Sequence, residues 1–295
     1  MEREIYINGA YLPESRAQVP VMDRGFLFGD AIYEVTAVVD GHLIDNDLHL
    51  ARLARSLGEI GIAMPATLAE ICTIQQDLVR RNAMTDGTIY LQVSRGTQER
   101  NFLPDPDMRP TFIALTQPKQ LADTRAQTNG IAVDLVEDPR WLRCDIKTTQ
   151  LLGQVLAKQA ARQGGFDDVW LHRDGQITEG ASSSAFIVTH DGRIVTRPNS
   201  PAILPGCTRR AIMDLVAQDG LRLDERGFSP QEAGTAAEAF LTSASSLVTP
   251  VVRIGAHVLG DGRPGPVTRR VQALYMQAVR RSPRILPQSA PYEAV

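Results

Sequence analysis

The sequence lacks the features that mark several large classes of protein. No stretch of its 295 residues reaches about 18 consecutive apolar residues, so no membrane-spanning helix is expected. The N-terminal run MEREIYINGAY has no apolar segment of the kind found in a secretory signal. The three cysteines, Cys72, Cys144 and Cys207, have no metal-ligand spacing, and their small, odd number is typical of a reducing compartment. The net charge of −3 provides no basic field for nucleic acid, so we expect a cytoplasmic, metal-free protein that binds neither membrane nor nucleic acid.

Lysine is also scarce, and its scarcity narrows the search for a nucleophilic amine. The chain has three lysines against 28 arginines. A lysine that reacts through its amine must lie where burial or nearby cations lower its pKa. Lys119 follows Pro118 in a polar connector, and Lys158 points away from the apolar stripe predicted for its helix, so Lys147 remains the candidate. A single lysine is more often a surface charge. The predicted stripe consists of Leu151, Leu152, Val155 and Leu156.

Residues 1–116 are predicted to form a small N-terminal α/β domain. Asn8-Gly9 is typical of a two-residue hairpin turn, and the alternating run 31–39 predicts a strand. The spacing of apolar residues predicts a helix over 47–60. The capping box at 67–70 predicts the start of a second helix that ends near Arg81. Further strands are expected at 88–95 and 111–116.

A polar stretch over 117–130 is predicted to be a linker to a larger domain, 131–282. That domain mixes strands and helices without a repeated βαβ alternation or a dinucleotide-binding fingerprint. Its main helices are expected at 149–163, 208–218 and 267–281. The Pro-rich residues 283–295 are predicted to form a C-terminal tail. The fold class expected from this pattern is α+β.

Other candidate functional groups follow Lys147 along the chain. Glu179 comes after a predicted hairpin and shortly before the serines at 182–184. A carboxylate can keep a heterocyclic nitrogen protonated and hydroxyls can bond a ligand, but both are also ordinary loop residues. The run 206–208, Gly-Cys-Thr, opens a predicted helix whose free N–H groups suit a phosphate.

The motifs that contain these residues resemble a known family. The blocks, in order, are DRGFLFGDAIYEV, HLARLARS, IYLQVSRG, RWLRCDIKTTQLLGQVLAKQ, TEGASSSAFIV, ILPGCTRRAI and LTSASSLVTPVV. Together they resemble the fold type IV pyridoxal phosphate enzymes, the class IV aminotransferases, and most of all the branch that acts on D-amino acids. The resemblance implies a barrel-like larger domain, pyridoxal 5'-phosphate as cofactor, and a homodimer whose sites lie at the junction of domains and subunits.

By this resemblance, Lys147 would hold the cofactor as an imine and act as the catalytic acid and base. Glu179 would face the pyridine nitrogen, and Ser182 and Ser183 would lie along the cofactor's edge.

The resemblance also implies a phosphate site. The N–H groups of Cys207 and Thr208 and the hydroxyl of Ser243 would bind the phosphate, and Arg52 would grip it from the small domain. The family often has a further hydroxyl at the next position, where this chain has Ala244.

On the substrate side, the resemblance assigns Tyr33 a place near the imine. It assigns to Arg100 the substrate carboxylate, which this arginine would reach from the neighbouring subunit. Well-studied relatives have a histidine two residues further on, whereas this chain has Phe102.

The reaction implied is transamination between a D-amino acid and a 2-oxo acid, of the type D-alanine plus 2-oxoglutarate giving pyruvate plus D-glutamate. Three alternatives share the fold: a branched-chain L-amino acid aminotransferase, an R-selective amine transaminase and an aminodeoxychorismate lyase. A fourth alternative, from a different class, is a protein that stores or senses the cofactor without turnover.

Overall fold

The computed structural model describes residues 2–282, 284 and 285. It divides into two compact units, which we name unit 1 (Met1–Gln120 with Val279–Val295) and unit 2 (Leu121–Ala278). Apart from Arg284 and Ile285, the predicted tail 283–295 lies outside the described residues. Within the described part of the chain, no helix has the length and hydrophobicity needed to cross a membrane.

Unit 1 is built on a six-stranded sheet in which every pairing is antiparallel, in the order β2-β1-β6-β5-β3-β4. Its elements are β1 (Glu4–Ile7), β2 (Ala10–Pro13), α1 (Arg24–Phe28), β3 (Ala31–Val39), β4 (His42–Leu43), α2 (Asn46–Glu59), α3 (Leu68–Arg81), β5 (Gly87–Ser94) and β6 (Thr111–Pro118). A short 3-10 helix, Glu14–Arg16, follows β2.

Local sequence signals account for most of these elements. Asn8 and Gly9 take the positive φ angles, 46° and 97°, that a tight hairpin turn requires. Thr67 and Glu70 form the predicted capping box at the start of α3. The helix α1 was not predicted. It begins where the Asp23 carboxylate accepts a hydrogen bond from the N–H of Gly25, 2.8 Å away.

Unit 2 contains a nine-stranded mixed sheet in the order β12-β11-β10-β13-β14-β7-β8-β9, with β15 paired to β14. Its elements are α4 (Arg125–Asn129), β7 (Ile131–Glu137), α5 (Leu152–Gln163), β8 (Asp168–Arg173), β9 (Gln176–Gly180), β10 (Ser184–Val188), β11 (Ile194–Thr196), α6 (Cys207–Gln218), β12 (Leu223–Glu225), α7 (Pro230–Gly234), β13 (Glu238–Ser243), β14 (Leu247–Ile254), β15 (His257–Val258) and α8 (Pro266–Val279). The segment 117–130, predicted to be a linker, contains the end of β6 and all of α4.

Two parallel crossovers in unit 2 correct the expectation that βαβ units are missing. The helix α5 connects β7 to β8, which pair in parallel, and α6 connects β11 to β12 in the same way. Parallel pairing depends on how distant strands meet, which is not visible in local periodicity. The strand β12 has only three residues and was not predicted.

The orientation of α5 is opposite to the one predicted. Its buried residues are Ala157 and Ala161, which pack against strands β8 and β7. The predicted core residues Leu152, Val155 and Leu156 are instead 69%, 57% and 54% exposed. Periodicity identified an amphipathic helix correctly, but it could not tell which face meets the sheet.

A buried carboxylate fixes the start of α8. Glu238 lies at the beginning of β13, and its two oxygens accept from the N–H groups of Val267 and Thr268 at 3.0 and 2.8 Å. These N–H groups have no partner inside the helix, so the carboxylate satisfies donors that would otherwise be buried without one.

A methyl group at Gly265 should displace this carboxylate. A Cβ at Gly265 would lie 2.1 Å from the carboxyl carbon of Glu238. We expect Gly265→Ala to lower the free energy of unfolding by about 1–3 kcal/mol, measured by urea denaturation, because the helix start loses its acceptor.

The matched control is Gly58→Ala in α2, where an added Cβ meets no atom within 4 Å. Removing a glycine from a helix interior should leave stability unchanged or raise it by up to about 1 kcal/mol. Equal losses in the two variants would contradict the steric explanation.

Candidate active site

Lys147 lies in the loop that joins β7 to α5. The strand-like run before Lys147 predicts an extended segment, but residues 138–151 form bends and turns with no helix or strand. The side chain is half-buried and follows Ile146, which is 4% exposed. The loop therefore presents a partly shielded amine beside a hydrophobic anchor.

Glu179 lies on β9 and is almost fully buried. Its Oε1 atom accepts from the guanidinium of Arg140 and from the N–H of Leu204, which is 3.0 Å away. Its Oε2 atom accepts from none of the described residues. The carboxylate therefore has one oxygen satisfied by the protein and one that remains for a donor on a ligand.

Opposing effects act on the charges around Glu179. Burial raises the pKa of the Glu179 carboxyl by more than Arg140, the N–H of Leu204 and the charge of Lys147 lower it, so the pKa is raised overall. Burial disfavours the charged form of Arg140 too, but Asp138 and Glu179 outweigh this, so the pKa of the guanidinium is raised. Arg140 thus stays charged and favours an ionised Glu179.

The start of α6 offers donors to an anion. Its N-cap residue, Gly206, provides no side-chain cap. Because Cys207 and Thr208 occupy the first turn, their N–H groups have no acceptor within the helix. A Cβ at Gly206 would lie 2.7 Å from Ser184 Oγ, so only glycine allows this close approach.

The predicted hydroxyl groups differ in their surroundings. Ser183 is buried, and its Oγ has no hydrogen-bond partner. Ser182 is exposed, and its Oγ accepts from Lys158 Nζ at 3.2 Å. Ser243 lies at the end of β13 and shares a hydrogen bond with Ser246 Oγ at 2.7 Å. Ser183 is thus the one of the three whose hydroxyl lacks a partner.

In unit 1, Arg52 is held in a buried ion pair on one side of the sheet. Its Nε and Nη2 donate to the two oxygens of Glu34 at 2.7 and 2.8 Å, and His49 Nδ1 lies 2.8 Å from the same carboxylate. Burial raises the pKa of Glu34, but Arg52 and His49 lower it more, to about 2. The carboxylate therefore fixes the direction of the Arg52 guanidinium.

Tyr33 and Arg100 also lie in unit 1. Tyr33 is half-buried on β3 and stacks on Tyr90, with ring centroids 5.6 Å apart. Arg100 is exposed in the loop after β5, with its guanidinium 5.2 Å from the Phe28 centroid and 5.6 Å from that of Phe102. The Arg100 guanidinium therefore lies near two aromatic rings, one of which is Phe102.

Sequence reasoning assigned no role to Arg140, Asp138 or Glu34. Arg140 and Asp138 flank a proline in a loop, a position typical of solvated charges. For Glu34, the sequence does contain a pattern that indicates a buried charge. It shares one face of β3 with Ile32, Thr36 and Val38, and a charged residue at a core position indicates a buried partner. The described residues contain no group of three His, Cys, Asp or Glu side chains placed to hold a metal ion.

Comparison with known proteins gives a consistent result. A family model described as Amino-transferase class IV matches residues 31–254. The D-alanine aminotransferase of Bacillus licheniformis is 37% identical over 276 residues, which cover 94% of this chain and 97% of that protein. That of Staphylococcus haemolyticus is 37% identical over 270 residues, 91% of this chain and 95% of its own.

Solved structures with the same fold include branched-chain amino acid aminotransferases. The Escherichia coli protein superposes with a TM-score of 0.88 at 25% identity, covering 94% of each chain. The Thermobaculum terrenum protein, in its PLP-form, gives 0.82 at 24% identity, again over 94% of each chain. The α+β prediction with a barrel-like larger sheet is confirmed.

The buried Glu34 carboxylate should make stability depend on pH. Its pKa in the folded protein is lowered to about 2, so its stabilising effect is present above the unfolded value near 4.5 and lost as the pH falls towards 2. We expect Glu34→Gln to cost about 3–5 kcal/mol of unfolding free energy at pH 7, because Arg52 loses its counter-charge. The cost should shrink steadily between pH 5 and pH 3 in urea denaturation.

Glu59→Gln is the control, since its carboxylate pairs with Arg55 at 3.8 Å on the exposed side of α2. This change should cost less than about 1 kcal/mol of unfolding free energy, both at pH 7 and at pH 3. A cost for Glu34→Gln that is independent of pH would contradict an ionised, buried Glu34.

Proposed function

Because this chain belongs to the class IV aminotransferases, we propose that it transfers the amino group of a D-amino acid to a 2-oxo acid. The observation that carries the D-specific part is the 37% identity to D-alanine aminotransferases over more than nine tenths of the chain. The branched-chain aminotransferases, which act on other substrates by their names, match at 25% identity or less. A fold can be common to several substrate classes, so the sequence relatives weigh more.

We infer that the cofactor is pyridoxal 5'-phosphate, and the residues present fit it. The ring nitrogen would donate to Glu179 Oε2, the oxygen to which no described residue donates. Ser183, whose buried Oγ lacks a partner, would bond the ring's edge, with Ser182 beside it. When bound, the cofactor's protonated ring withdraws electrons from the bond that breaks at the substrate's α-carbon.

The phosphate would lie at the start of α6. The N–H groups of Cys207 and Thr208 and the positive end of the helix dipole suit a dianion. The hydroxyl of Ser243 would contribute from the end of β13. Arg52, whose guanidinium Glu34 holds in one direction, stays a proposed phosphate ligand by the sequence resemblance.

Lys147 would attach the cofactor and then move the proton. The Lys147 amine would act as the base that takes the proton from the substrate's α-carbon and as the acid that delivers it to the cofactor's C4' atom. A half-buried position limits competing water while leaving the amine accessible. Tyr33 would act beside this amine, and Arg100 would bind the substrate carboxylate.

We also propose that the protein is a homodimer, with Arg100 reaching the site of the neighbouring subunit. Support comes from the outward face of α5, where Leu152, Val155 and Leu156 form one exposed apolar stripe. The stripe carries no charge, so it can meet its own copy without repulsion. Location in the cytoplasm and independence of nucleic acid and membranes remain predictions from the sequence.

The reaction can be tested with D-alanine and 2-oxoglutarate. The wild-type protein should produce pyruvate and D-glutamate, measured by coupled assay and chiral chromatography, and Lys147→Ala should lower turnover by at least about 10³-fold because the proton carrier is lost. Borohydride reduction of the wild type followed by peptide mass mapping should label position 147.

Lys119→Ala is the matched control and should retain full activity. L-Leucine, R-phenylethylamine and aminodeoxychorismate complete the panel for the alternative reactions. Preference for L-leucine would overturn the D-specific proposal, and cofactor binding without turnover of any amine would favour a storage or sensing protein.

The dimer proposal predicts the effect of a charge on α5. Leu156→Glu should convert a dimer into a monomer in sedimentation experiments at micromolar concentration, because two carboxylates would meet in an apolar interface. Secondary structure by circular dichroism should be unchanged, since the residue is 54% exposed in a single chain.

Val258→Glu in β15 is the control, because it adds the same charge at a residue that is also exposed, at 59%. It should remain dimeric. A dimer that survives Leu156→Glu would exclude the α5 stripe as the interface.

A further inference from the structure

Asp138 is a buried carboxylate in unit 2 that none of the steps above uses. It follows β7 directly, and its side chain is 0% exposed. Burial alone would raise the pKa of Asp138, but the Arg140 guanidinium lowers it more strongly, so the group is ionised. A buried charge is costly unless it is well paired. The hydrogen-bond partners of Asp138 therefore indicate its role.

Asp138 holds most of the donors of Arg140. The Nε atom of Arg140 donates to Oδ1 at 2.8 Å, its Nη2 to Oδ2 at 2.7 Å, and its backbone N–H to Oδ1 at 3.0 Å. Nη2 also lies 3.3 Å from the carbonyl oxygen of Ala202. The guanidinium can therefore present only Nη1 to Glu179, and that atom bonds Oε1.

Asp138 is itself fixed by the neighbouring strands. The hydroxyl of Thr178, the residue before Glu179, donates to Oδ2 at 3.0 Å. Arg173 on β8 lies 3.4 Å from Oδ1 and donates to the carbonyl oxygen of Arg140 at 3.0 Å. The backbone N–H of Asp138 donates to His172 at 2.8 Å. Asp138 and Arg140 therefore cannot shift without disturbing β8 and β9.

This arrangement has a consequence for Glu179. An arginine fork prefers to bind both oxygens of one carboxylate. If Arg140 were released, it could turn that fork onto Glu179 and occupy both Oε1 and Oε2. Because Asp138 engages Nε and Nη2, Glu179 receives one guanidinium N–H and keeps Oε2 for another donor.

We propose that Asp138 is a positioning residue: by restraining Arg140, it keeps one oxygen of Glu179 available for the protonated ring nitrogen of a bound pyridine cofactor. The inference rests on the proposed function for the identity of that ligand. It assigns to Asp138 an effect on recognition of a single ring atom, which a purely structural role would not have.

The test compares two ligands that differ only at that atom. They are pyridoxamine 5'-phosphate and its 1-deaza analogue, which has C–H in place of the ring nitrogen. Neither has an aldehyde, so neither forms a covalent bond with Lys147. Calorimetric titration of the full-length, cofactor-stripped protein gives both affinities without reference to activity.

We expect the wild type to prefer the nitrogen-containing ligand by at least about 10-fold, as a charge-assisted hydrogen bond provides. In Asp138→Asn, Arg140 is released towards Glu179, and the preference should fall to within about 3-fold. Asp134→Asn is the matched control. Asp134 lies on β7, the strand that Asp138 follows, and its carboxylate accepts from the N–H of Leu135. It should retain the wild-type preference.

The outcomes distinguish a failure of the positioning role of Asp138 from a failure of the proposed function. An Asp138→Asn variant that keeps the full preference overturns the positioning role, whatever its stability. A wild type that binds neither ligand refutes the proposed function instead. If Asp138→Asn does not fold, Thr178→Val carries the test, because it removes one hydrogen bond to Asp138 and should reduce the preference at least about 2-fold. An unchanged preference there would overturn the proposal.

Discussion

The buried guanidinium of Arg140, held between two carboxylates, is the interaction on which the rest of unit 2 depends. An isolated charge in this position would be prohibitive, so the positive group and its partners must be placed together. The contacts connect the end of β7 through Asp138, β9 through Glu179, and the segment before α6 through Ala202. Glu179 in turn accepts from the N–H of Leu204, which shortly precedes the first turn of α6.

Unit 1 also contains a buried ion pair, but there the carboxylate positions the arginine. There a buried carboxylate, Glu34, holds a guanidinium, Arg52, in one direction, and His49 completes the set. In both units a buried ion pair fixes the direction of a charged side chain. Preorganised charges need little rearrangement when the ligand binds, and this is how such sites achieve both affinity and catalysis.

The similar sequences and the superposing structures belong to enzymes with different names. D-Alanine aminotransferases are the similar sequences, whereas branched-chain aminotransferases are among the closely superposing structures. The backbone is therefore common to enzymes with different substrates. Substrate choice among these enzymes must therefore depend on side chains rather than on the backbone.

The sequence by itself determined the features that depend on near neighbours: the Asn8-Gly9 hairpin, the capping box at Thr67, the strand 31–39 and the helix that begins at Cys207. It also singled out Lys147 and Glu179, because few lysines compete and because the surrounding motifs resemble a known family. Only the tertiary structure decided which face of α5 is buried, that β7 and β8 pair in parallel, and that Asp138 and Glu179 meet at Arg140. Arg140 and Glu179 are 39 positions apart, and helical or strand periodicity carries no information over that distance. Local signals choose each element, whereas packing and the pairing of buried charges choose how the elements meet.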